Sequence, residues 1–149
     1  MRLTLDTAIL VRTITAGVGP ARGLLDAIAS SDATLVLSRY ILDELLRVIN
    51  YPRLLKHYRL DQATIAAHLQ RLEALSELVE PAEGPPIVLR DPKDDPIVYT
   101  ALAGEADVLC TVDNHFYDPN VLAFCSRHGI QLMTDVELLH HLRSLYPRS

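Results

Sequence analysis

What most constrains the fold of this 149-residue chain is alternation: short β-type runs take turns with longer helical segments. Leu3-Thr4-Leu5 and Ile9-Leu10-Val11 open the chain on either side of Asp6, and Ala33–Leu37, Val108–Val112 and Ile130–Met133 follow as strand candidates. Between them lie stretches of helical spacing. Ala21–Ser30 is one, and a second follows Ser38, a natural N-cap, with Ile41, Leu42, Leu45, Leu46, Val48 and Ile49 on one face. Asp61–Val79 repeats that pattern through Ile65, Leu69, Leu72 and Leu78. Asp95-Pro96 and Asp118-Pro119 each read as an N-cap followed by proline at the first helical position, with helices running to about Gly104 and Gly129. Thr134 with Glu137 makes a capping box for a final helix. Strands joined through helices run parallel, so the expected class is α/β: a mostly parallel central sheet sandwiched by helices, in a single domain over 1–149.

Composition narrows the partners. The 14 Lys+Arg against 19 Asp+Glu give a net charge of −5, the wrong sign for a generally basic nucleic-acid coat. Cys110 and Cys125 form no C-x-x-C pair, which disfavours zinc-finger and thioredoxin-like readings. The longest apolar run is Val121–Cys125, and MRLTLDTAIL is interrupted by Asp6, so neither a membrane span nor a secretory signal is expected and the protein reads as cytoplasmic. The six histidines lack H-E-x-x-H spacing, and no G-x-x-x-x-G-K or G-x-S-x-G motif occurs.

Four acids fall where such a sheet gathers ligand groups. Asp6 follows the first strand, Asp113 follows the Val108 strand, Asp94 precedes a helix, and Glu44 lies in the helix after the Leu35 strand. Carboxylates held together repel unless a cation neutralises them, and hard divalent ions such as Mg²⁺ or Mn²⁺ take oxygen ligands. A site of that kind activates water and favours displacement at phosphorus. For any single aspartate a turn or cap is the commoner role, and Asp91, Asp95, Asp118 and Asp135 are read that way. Glu44 and Asp43 flank opposite edges of one apolar stripe, and helical geometry barely separates them.

Leu5-Asp6-Thr7, Ser38–Leu46, Asp91-Pro92-Lys93-Asp94-Asp95 with Ala101, and Thr111-Val112-Asp113 together resemble the PIN-domain family of metal-dependent ribonucleases, in order and spacing along the whole chain. The segment Ser38–Leu54 and the Asp91–Asp94 turn most resemble the toxin (VapC-like) branch of type II toxin–antitoxin systems. The resemblance places the family's strand-end Asp on Asp6, its helix glutamate on Glu44, its third acid on Asp94 and its fourth on Asp113. It implies Mg²⁺ (or Mn²⁺) at those four catalytic acids, RNA as substrate, a small antitoxin protein as partner, and scope for a homo-oligomer. Two positions depart from the pattern: Ala8 stands where the family usually has Asn, and Asn114-His115 follow Asp113 where the family often supplies another acid.

The charge is uneven. From Arg39 to Arg59, five basic residues (Arg39, Arg47, Arg53, Lys56, Arg59) face two acids, a local +3 that leaves −8 on the rest of a chain totalling −5. Such a segment beside a metal acid suits a phosphate backbone, and a solvated helix face is its plain competitor. Tyr40, Tyr51 and Tyr58 in the same stretch either stack on bases or pack. The expected activity is therefore metal-dependent hydrolysis of RNA phosphodiesters. A catalytically weak PIN-like binding domain is the alternative, supported by Ala8. A haloacid-dehalogenase-like phosphatase ranks last, because it needs a second acid two residues after Asp6, and Ala8 is there.

Overall fold

The computed structural model describes residues 1–16 and 19–147. Five strands, β1 (Arg2–Leu5), β2 (Thr34–Leu37), β3 (Ser76–Leu78), β4 (Val108–Cys110) and β5 (Gln131–Met133), form one sheet in the order β3-β2-β1-β4-β5. Every pairing is parallel. The central strands are buried and apolar, as strands covered on both faces must be: Leu3, Leu5, Leu35, Leu37 and Leu109 are fully inaccessible. Eight helices flank the sheet among the described residues: α1 (Thr7–Thr15), α2 (Pro20–Ala29), α3 (Arg39–Ile49), α4 (Pro52–His57), α5 (Gln62–Leu75), α6 (Asp95–Ala103), α7 (Pro119–Arg127) and α8 (Asp135–Leu145). None is long and apolar enough to cross a membrane.

Four local expectations are overturned. Ile9-Leu10-Val11 belongs to helix α1, because Asp6 accepts a hydrogen bond from the Ile9 backbone N–H at 2.9 Å and starts a helix directly after β1. The buried positions Thr7, Ile9, Leu10 and Thr13 then follow a helical stripe. The Asp61–Val79 helix stops at Leu75, where Ser76–Leu78 turns into β3 and pairs with Leu35–Leu37. Backbone bonds to an open sheet edge outweigh another helical turn that would bury little, since Glu77 and Leu78 are exposed. Asp95 does not cap α6. Its carboxylate accepts from the Ile87 and Val88 N–H groups at 3.1 and 2.7 Å, and so pins the proline-rich segment to the helix start.

That segment is strapped at further points. Tyr99 donates to the Pro85 carbonyl at 2.7 Å, and Asn120 donates to that of Ile87. Asp118 likewise leaves its assigned cap to take a two-pronged ion pair from Arg90, both contacts at 2.7 Å. Asp95→Ala is expected to cost about 2–3 kcal/mol, because two partly buried N–H groups lose a charged acceptor. Asp95→Asn, which keeps one acceptor oxygen, should lose clearly less. Urea unfolding measures both, and equal costs for the two variants would show that packing rather than the acceptor matters.

Candidate metal centre

Strand order sets the place of the site. From β1 the chain steps outward through β2 and β3, then crosses back to β4 and β5, so direction reverses between β1 and β4. Ligands of open parallel sheets bind outside the carboxyl ends of the strands at that switch point. Asp6 directly follows β1, and Thr111 and Asp113 follow β4.

These side chains form a continuous network. The Thr111 hydroxyl donates to Asp6 Oδ2 while Asp6 Oδ1 takes the Ile9 N–H. Thr111 Oγ1 in turn accepts from the Asp113 N–H at 3.1 Å, and Asp113 Oδ1 accepts from the His115 N–H at 2.9 Å, starting the 3₁₀ turn Asn114–Tyr117. Asp6 is only 3% exposed. Burial pushes its carboxyl up to about 6 against the hydrogen bonds from Thr111 and Ile9, with the Asp113 charge adding to the rise.

Asp94 lies on the 3₁₀ turn Pro92–Asp94 that leads into α6. Its carboxyl is pushed up to about 7, first by burial and then by Asp91, Asp113, Glu44 and Asp6. The other three acids expected from the sequence are therefore all felt at this one carboxyl. Glu44 is half-buried and lines a depression of about 250 Å³ on α3 with Tyr40, Asp43 and Arg47, whereas Asp43 is exposed. Tyr40 ties α3 to the Asp94 turn by donating to the Lys93 carbonyl at 2.6 Å.

The tightest ligand group is a different set. Among the described residues, Asp91, Asp94 and His115 each offer a ligand atom, all within 4.8 Å of one another and all half-buried. Asp94 belongs to both sets. Asp91 fulfils its expected turn role by accepting from the Lys93 N–H, yet it also faces Asp94. Sequence reasoning passed over this second role, whose only signal is the three-residue spacing across Pro92-Lys93.

The donors present fit a divalent cation. Asp94 Oδ2 and His115 Nδ1 are buried atoms without a hydrogen-bond partner, each an unfavourable state that a bound cation relieves. Carboxylate oxygens are the ligands that hard divalent ions take.

All five basic residues of the Arg39–Arg59 segment are exposed. Arg39 and Arg47 lie on α3, Arg53 and Lys56 on α4, and Arg59 follows α4 with a positive φ of 52°. Arg47 donates to the Tyr51 hydroxyl at 2.6 Å, which spends part of its hydrogen-bonding capacity within the protein. Tyr58 sits with Arg12 and Asp135 beside a separate cleft near the end of α1.

No curated protein matches the sequence. A family model described as PIN domain matches residues 2–115, the span that carries β1 to β4 and every acid of the two ligand sets. That match covers most of the chain, and the chain belongs to the PIN domain family.

Proposed function

We propose that the protein is a divalent-metal-dependent endoribonuclease that acts as the toxin of a toxin–antitoxin pair. PIN domains are generally nucleases, and the observation that most supports the reading here is Asp94: half-buried, carrying an orphaned oxygen, and feeling the charges of Asp6, Glu44 and Asp113 together. In this reading those four acids hold Mg²⁺ or Mn²⁺. A bound ion of that class lowers the pKa of water and neutralises charge developing on phosphorus. The chain's own share of the chemistry is orientation. Thr111 fixes the rotamer of Asp6, Tyr40 holds the Lys93 carbonyl and with it the turn before Asp94, and the acids accept hydrogen bonds from the attacking water. Arg39, Arg47, Arg53, Lys56 and Arg59 neutralise phosphates of a single-stranded or structured RNA without reading its bases. The partner is a small antitoxin that covers the acidic crevice in a cytoplasmic setting.

Ala8 favours a second reading. It is exposed in the first turn of α1 and offers no polar group beside Asp6, as in a domain that binds RNA or a partner without cutting. One assay separates the two: cleavage of single-stranded RNA in Mn²⁺, in Mg²⁺ and in EDTA. The nuclease reading expects cuts in either metal and none in EDTA. It further expects Glu44→Gln to lose about 10²-fold or more in rate, while Asp43→Asn, altering only an exposed side chain, stays within about twofold. RNA that is bound but left intact in both metals would establish the binding reading instead. Loss of activity in Asp43→Asn but not in Glu44→Gln would move the site to the other edge of α3.

A further inference from the structure

Resting on that reading of a divalent-metal site, we propose that the imidazole of His115, together with Asp91 and Asp94, is a direct metal ligand and makes the centre prefer a borderline transition-metal ion such as Co²⁺ or Zn²⁺ over Mg²⁺. The geometry is already close to coordination. The three ligand atoms lie within 4.8 Å of one another, so an ion at their centre is no more than about 2.8 Å from each, against about 2.1 Å for a metal–nitrogen or metal–oxygen bond. Less than about 1 Å of side-chain movement closes the set.

The backbone that carries the ring is held by its surroundings. The His115 backbone N–H is fixed by Asp113 Oδ1 at 2.9 Å, and Phe116, next in the chain, is buried at 1% exposure. His115 Nδ1 is shut away from solvent with no hydrogen-bond partner, and stands 3.6 Å from Asp113 Oδ1, an ion-pair distance when the ring is protonated. A buried ring nitrogen without a hydrogen bond is costly for a purely structural histidine, which would turn toward a donor or acceptor. As a ligand, the ring spends a nitrogen lone pair on the ion.

The chemistry of the donors decides the ion. An all-carboxylate site suits Mg²⁺, which demands near-ideal octahedral oxygen ligation and keeps much of its water. One imidazole among carboxylates raises affinity for transition ions, whose acceptance of nitrogen grows along the first row, and gives Mg²⁺ almost nothing.

The test is calorimetric titration of the full chain with Co²⁺ and separately with Mg²⁺, for wild type, His115→Ala and His115→Gln, the last keeping side-chain bulk. Thermal melts confirm that each variant is folded. Both variants are expected to lose at least about tenfold in Co²⁺ affinity, as even outer-shell changes cost 10–100-fold, while Mg²⁺ affinity moves less than about threefold. His115→Asp should narrow the preference by improving Mg²⁺ binding. Wild-type Co²⁺ affinity in folded His115→Ala and His115→Gln, or loss of both ions by the same factor, would overturn the ligand role of His115 and leave the metal-dependent reading standing. A wild-type chain that binds neither ion would overturn both.

Discussion

Replacing Asp6 by asparagine is expected to lower RNA cleavage by about 10²–10³-fold and, at the same time, to make the metal-free protein more stable at neutral pH. The first effect follows from removing one of the charges in the proposed centre. The second follows from linkage. In the fold the Asp6 carboxyl titrates near 6, against an ordinary 3.8 in the unfolded chain. Between those values the folded state holds the proton and the unfolded state has lost it, so stability falls as pH rises. The penalty is absent below pH 3.8 and complete above pH 6, where it reaches about 3 kcal/mol. Asp94, pushed up to about 7, acts in the same direction and extends the window toward neutrality. Asparagine keeps an acceptor for the Ile9 N–H and carries no charge, so melting in EDTA from pH 4.5 to 8 should show a flatter profile. At pH 7.5 a gain of about 1–3 kcal/mol is expected. An asparagine variant that cuts RNA at the wild-type rate would remove Asp6 from the machinery. One with the wild-type pH slope would show that its buried charge costs nothing.

Phe116→Ala should be the most damaging single truncation near the site. Phe116 is the largest fully buried side chain and sits in the 3₁₀ turn between His115 and Tyr117. Its truncation should cost about 3–5 kcal/mol, since it removes buried apolar surface and opens a cavity, and should lower Tm by roughly 10 °C or more. The same ring anchors the backbone that carries Asp113 and His115, so Co²⁺ affinity should fall with it at temperatures well below the melt. Stability within about 1 kcal/mol of wild type would mean that the turn repacks readily and that its anchoring lies elsewhere.

The parts of the fold legible in the sequence are those governed by local signals. Ser38 accepts the Ile41 N–H, and Thr134 with Glu137 forms the full capping box, because the partners of these caps lie within three residues. The parallel sheet follows from strands that buried runs make unambiguous. What escaped depends on partners far along the chain. β3 exists only because β2 offers an edge to Ser76–Leu78, and no periodicity announces that. Asp95 and Asp118 carry good cap signals, yet groups seven or more residues away (Ile87, Val88 and Arg90) take their carboxylates. At the site, a resemblance rather than the helical wheel singled out Glu44, and the structure adds a physical difference: Glu44 is half-buried and Asp43 exposed. Asp91 and His115 meet across two separate turns, which no one-dimensional spacing encodes.

The pairing of β1 with β4 has a consequence for synthesis. The Asp6 N–H bonds the Cys110 carbonyl, and the Thr111 hydroxyl holds the Asp6 carboxylate, so the partners in these two bonds are 104 and 105 residues apart. A ribosome-bound chain that has not yet emerged past Thr111 already contains Asp6, Glu44 and Asp94, but β1 has no neighbour on its β4 side and Asp6 has no hydroxyl to orient it. Pairings of such long sequence separation also form slowly. During translation the oriented Asp6 carboxylate is therefore among the later features of the fold to form, since it needs Thr111 to have emerged.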